Sequence, residues 1–242
     1  MDSPALGPRP FLTWYGADGE RIELSATVTA NWVAKTTNLL VEEFDAGPGT
    51  LVRVDLPVHW RTAVWALAAW RTGAGVVLGE GSAPSAASSV SDGGPRADVI
   101  VTDRPATLDA TELARAEIVA QVLPSLARAF DGELPPGAMD AARAVGSYSD
   151  VIGYVPPTDP AATAVVAASH ATAHSDLGSW ATELPASARL AVPVDGTSRD
   201  VEDLLQLVLG ALRASSSLVL YPETHPDPSR ILTPEHATPL PR

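Results

Sequence analysis

A chain of 242 residues, 45% of them apolar, is long enough to bury one sizeable core. Sixteen basic side chains against twenty-nine acidic ones give a formal charge of −13, and such a field repels nucleic acid phosphates and anionic lipid, so neither a nucleic-acid nor a membrane partner is expected. Cysteine is absent, which rules out disulfides, thiolate nucleophiles and Cys-based metal sites and fits a cytoplasmic location. There is no apolar run long enough for a transmembrane helix, and the start MDSPALGPRPF lacks the pattern of a signal peptide. Lys35 is the only lysine, so any chemistry that needs an ammonium group must use it or borrow one.

Taken in chain order, Phe11–Tyr15, the Gly16–Gly19 cluster and Glu20–Leu24 read as a hairpin. Residues 25–44 read as a helix with Ser25 as N-cap, and Leu51–Leu56 as a strand after the Gly47-Pro-Gly49 break. Residues 58–72 read as a second helix whose Trp60, Trp65 and Trp70 step about 140° each time, so it is apolar on most sides and sits either inside the domain or at a subunit contact. Gly75–Leu78 reads as a strand, 79–95 as a mobile Ser/Gly/Ala-rich loop, and 97–102 as a strand. A short helix near 108–116 follows, and then 117–123 is a strand with helix as its rival. Beyond a Pro/Gly loop at 131–137 come a short helix at 138–145, a strand at 162–167, a helix near 173–183 and a strand at 189–193. The clearest helix, 199–214, carries the stripe Val201, Leu204, Leu205, Val208 and Leu212, with Thr197 and Asp200 as its expected cap, and Leu218–Tyr221 is the last strand. Prolines recur after Pro222, so 222–242 is a Pro-rich arm, either packed and extended or disordered. Strands alternating with helices predict an α/β domain over 1–221, with largely parallel or mixed sheets flanked by helices.

The stretch Gly47-Pro-Gly-Thr-Leu-Val52, the later Trp70-Arg-Thr-Gly-Ala-Gly-Val-Val-Leu78, the strand Ala97–Asp103 and the run from Leu190-Ala-Val-Pro193 to Leu220 occur in an order that resembles the N-terminal domain of the AMP-forming acyl-adenylate ligases, which include acyl-CoA synthetases. The chain also resembles a small group of short, uncharacterised relatives of these ligases of actinobacterial type. The resemblance implies the ligase N-terminal fold. It also implies a phosphate-binding loop rich in Gly, Ser and Thr that ends in Pro-Lys just before a Ser-His or Thr-His helix start. In this sequence 162–167 runs almost directly into Ser169-His170, no glycine lies between Gly153 and Gly178, and no lysine follows Lys35. The family His after the Leu-Pro strand falls near Asp195, and the later adenine-binding and catalytic-lysine segments have no counterpart up to Arg242. These departures imply a non-catalytic homologue with a binding or interaction role and no ATP or AMP cofactor. The alternative is half of a split ligase completed in trans.

Four residues stand out as ligand candidates: Ser169, His170, His174 and Arg61. On a helix, His170 and His174 would share a face at i, i+4 spacing and hold a metal, the second alternative; with no third ligand in view, a solvated or packed pair is the plainer reading. Arg61 and Arg71 on the Trp-rich helix can hold an anion or snorkel to water. Gly73-Ala-Gly75 reads as a turn rather than a dinucleotide loop, because it follows a helix. The apolar 58–72 helix is the expected contact for a homodimer or protein partner.

Overall fold

Two sheets with helices held between them organise residues 7–78, 96–194 and 201–240, the stretches that the computed structural model describes. The 79–95 loop, Asp195 and the Thr197–Asp200 cap lie outside the described residues.

The opening hairpin forms as its composition predicts, with β1 (Pro10–Tyr15) antiparallel to β2 (Arg21–Ser25). Ser25 then ends the strand and starts α1 (Ala26–Phe44), its hydroxyl accepting from the Val28 amide at 3.1 Å. After β3 (Leu51–Asp55), His59 caps α2 (Trp60–Thr72) through its ring nitrogen, 3.2 Å from the Arg61 amide. Gly73 closes α2 at φ 86°, a left-handed conformation that suits glycine, and the chain enters β4 (Gly75–Leu78) at once. Gly73 and Gly75 thus serve a helix-to-strand turn.

Beyond residue 95 come β5 (Val99–Thr102), α3 (Ala110–Arg115) with a full Asp109/Glu112 capping box, and β6 (Glu117–Ala120), which settles the strand-or-helix alternative. The two-residue β7 (Met139–Asp140) leads into the short α4 (Ala141–Ala144), β8 (Thr163–Val166), β9 (Ala171–Ala173) and the single turn α5 (Leu177–Trp180). The last elements are β10 (Arg189–Val194), α6 (Val201–Ala214), β11 (Ser217–Pro222), α7 (Ser229–Glu235) and β12 (Thr238–Pro239).

One sheet has the order β12-β10-β11-β1-β2 and the other β7-β6-β5-β3-β4-β8-β9. Neighbours are parallel except in the β1–β2 and β8–β9 pairs. The inward side chains of the first sheet, including Leu12, Leu190 and Leu218, share one core with Val52, Val76 and Val99 of the second. Helix α2 lies in that core, against β1 on one side and β3 and β4 on the other, with α1 and α6 beside it.

The 58–72 helix takes the internal one of its two readings: every α2 residue other than Arg71 is buried within this chain. Its three-sided tryptophan pattern serves internal packing and leaves no free apolar face. The helix expected near 173–183 is instead a strand, a 3-10 turn and one helical turn. Ala171–Ala173 is pulled into a ladder with β8, and Leu177 and Trp180 are too few apolar positions to bury a longer helix.

The Pro-rich segment carries α7, whose Ile231 packs on the outer-face residues Ala191, Val219 and Tyr221, and β12, which pairs with β10. Among the described residues no helix is long and apolar enough to cross a membrane.

The packing on α6 yields the first testable expectation. A Cβ at Gly210 would lie 2.1 Å from the Thr182 carbonyl oxygen, and the Thr182 amide donates to Gln206 O at 3.1 Å on the same helix. Gly210→Ala gains helix propensity but must push this backbone away, so a net loss of about 2 kcal/mol is expected. A urea unfolding midpoint at or above that of the wild type would contradict this packing.

Candidate functional site

Strands β8 and β9 form a hairpin at the edge of the larger sheet. The Ala167 amide donates to His170 O at 2.9 Å, which leaves Ala168 and Ser169 as the tip. The ligase resemblance puts a phosphate loop at this point. A loop of that kind needs glycines that let several amides converge on an anion and a lysine to neutralise it. This turn has neither, and its backbone is occupied by its own ladder.

Ser169 is exposed at the tip, 3.4 Å from the His170 ring. The other ring nitrogen of His170 lies 3.2 Å from a Glu202 carboxylate oxygen in the first turn of α6. An acid thus faces the place where phosphate would sit. His174, after β9, turns elsewhere: its Nε2 is 3.2 Å from the Ala74 carbonyl oxygen in the α2–β4 turn. Burial holds its pKa below the usual histidine value, and the carbonyls of Ala74 and Gly73 partly offset that. The two histidines lack the helical face expected to align them, and each ring is engaged with a different element. Among the described residues no group of three His, Cys, Asp or Glu is placed to hold a metal ion.

Lys35 is on α1, its ammonium donating to the Tyr148 carbonyl. Nearby, Ser147 donates to Ala144 O and Ser149 accepts from the Val151 amide.

Arg61 is 7% exposed and lies far along the chain from the hairpin. Its guanidinium stands over the Trp60 ring at 4.3 Å and the Trp32 ring at 5.7 Å. Nε donates to Leu123 O at 3.1 Å, and Nη2 reaches the Pro124 and Ser125 carbonyls at 3.3 and 3.4 Å. Burial lowers its pKa to about 10, partly offset by the charge of Glu20, so it stays cationic at neutral pH. Burial, helped by Arg61, takes the adjacent His59 down to about 3, and that ring is therefore neutral. Arg61, Trp32, Trp60, Trp65 and Gln121 border a small pocket of about 50 Å³.

A larger cleft, about 780 Å³, opens on the outer face of the smaller sheet. Here the Glu235 carboxylate accepts from Tyr15 Oη at 2.6 Å, from Arg21 at 2.9 Å and from Arg189. Arg189 also donates to the Glu235 carbonyl and to Thr13. Burial pushes the Glu235 carboxyl up, but these hydrogen bonds outweigh it and hold the pKa below the usual value. The cluster joins residues more than 200 positions apart, and no local motif in the sequence announces it. Its donors are spent on fastening α7, so it is a latch rather than a reaction centre.

No family model matches this chain. A TIGR03089 family protein from Mycobacterium tuberculosis is 39% identical over 159 residues, covering 64% of this chain and 58% of that protein. An acyl-CoA synthetase from Brucella canis superposes with a TM-score of 0.69 at 17% identity, over 97% of this chain and 44% of that one. MatB from Rhodopseudomonas palustris gives 0.64 at 14% identity, over 96% and 45%. The N-terminal subdomain of Klebsiella oxytoca NpsA, in complex with 3-hydroxybenzoyl-AMSN, gives 0.61 at 13%, over 96% and 55%. The chain therefore has the fold of the N-terminal domain of acyl-CoA synthetases, and it spans 58% of the length of the curated relative and under half of the Brucella canis synthetase and MatB chains.

Proposed function

We propose that this chain, built on the N-terminal fold of acyl-CoA synthetases, is a non-catalytic homologue with a binding or interaction role. The observation that carries the reading is the β8–β9 turn. Two residues, Ala168 and Ser169, span what would have to be an anion cradle, and Glu202 faces it through His170. A triphosphate brought there finds no convergent amides and no ammonium group, since Lys35 is held at Tyr148. The residues present do not fit ATP, and no adenylation step is derived through it. Losing one donor of a preorganised electrostatic site costs about 3 kcal/mol of barrier, and here a whole set is missing.

Isothermal titration with ATP and magnesium should show no saturable heat, and pyrophosphate exchange in the presence of acyl substrates should stay at background. Saturable ATP binding would overturn the proposal. So would acyl-dependent exchange on adding a complementary ligase fragment, which would establish the split-enzyme alternative.

A further inference from the structure

We propose that the small pocket beside Arg61 binds one small monovalent inorganic anion of the halide class. The guanidinium there is almost fully buried, yet among the described residues it forms no ion pair. Its contacts are three main-chain carbonyls and two indole faces, which satisfy hydrogen bonds but put no carboxylate in contact with the charge. Nη1 has no acceptor among the described residues. The charge of Glu20 acts on Arg61 without an ion-pair contact, its carboxylate accepting from the amide and hydroxyl of Ser125 at 3.0 and 2.6 Å. The other titratable neighbour, His59, is neutral.

A second donor points to the same ligand. Trp60, 2% exposed and also lining the pocket, has an indole N–H without an acceptor among the described residues. A buried donor left unmade is costly, and so is a buried cation with no carboxylate in contact with it. An acceptor that also carries a negative charge relieves both, whereas a water relieves only the first.

Size and walls narrow the class. About 50 Å³ is room for only a few water-sized bodies, one water needing ~10–15 Å³ by the same measure, and is too small for a nucleotide. Val64, Trp32, Trp65, Ala141, Ala142 and Val145 make much of the lining apolar. Such walls suit a weakly hydrated anion held by a few donors. The site is separate from the β8–β9 turn and stands whether or not the non-catalytic reading does.

The test is to grow crystals of the full chain in sodium bromide, collect anomalous data at the bromine edge, and measure unfolding in sodium bromide or chloride against sodium gluconate at matched ionic strength. One bromide peak within hydrogen-bond reach of Arg61 Nη1 and Trp60 Nε1 is expected, with stability rising with halide and saturating as a single site requires. Trp60→Phe keeps an aromatic face, though a smaller one, and removes the donor, and should weaken halide affinity about tenfold. Arg61→Gln should abolish the dependence; if it does not fold, Trp60→Phe and the bromide map still decide. A map showing water only, with halide-independent unfolding of the wild type, would overturn the proposal.

Discussion

Replacing Trp65 by alanine should cost about 4 kcal/mol, a large share of the 5–15 kcal/mol that holds a typical domain together. Trp65 is 2% exposed, at the centre of the helix that touches both sheets. Its indole N–H donates to Gln121 Oε1 at 2.8 Å, and the Gln121 amide in turn donates to Val122 O at 2.5 Å. Truncation therefore opens a void and leaves the glutamine oxygen unpaired. Trp65→Phe keeps much of the volume and loses the hydrogen bond, so about 2 kcal/mol is expected. Equilibrium urea unfolding separates the two variants. A Trp65→Ala midpoint equal to that of the wild type would mean that α2 does not lie between the sheets.

Glu235→Ala should cost about 2–3 kcal/mol at neutral pH. The carboxylate is 5% exposed, but its partners Arg21 and Arg189 are 44% and 18% exposed, which places the loss below that for a wholly buried pair. The pH dependence has a definite sign. The folded carboxyl titrates below its ordinary value, so the unfolded chain binds the proton more readily. Its contribution is complete above the unfolded glutamate pKa, ~4.3, and is lost as the pH falls through the lower folded value. The stability gap between wild type and Glu235→Gln should therefore be constant near neutrality and shrink below about pH 4. A gap that widens on acidification would show that the carboxylate is not stabilised by the two arginines.

Legibility of the fold followed the range of the interactions. The β1–β2 hairpin, α1 with its Ser25 cap and the α6 stripe depend on periodicity and neighbouring residues, and they form where the spacing predicts. The segment after β8 did not, because the ladder between Val165 and Thr172 overrides local preference. The site was read unevenly. The shortness of the step from 162–167 to Ser169-His170 was legible, and the tight β8–β9 hairpin accounts for it physically. The His170/His174 pairing rested on a helix that is absent, and Tyr15, Arg21, Arg189 and Glu235 carry no local sign of belonging together.

Composition and pattern by themselves determined the class of the chain: acidic, without cysteine, alternating strand and helix, with one lysine and no glycine-rich turn near its histidines. Those properties depend only on which residues are present and how they are spaced. Tertiary structure decided which apolar helix is enclosed, which arginine is buried without a carboxylate, and where the Pro-rich segment docks. Burial and charge pairing depend on what distant segments bring to the same place, and that is settled only when the two sheets close over α2.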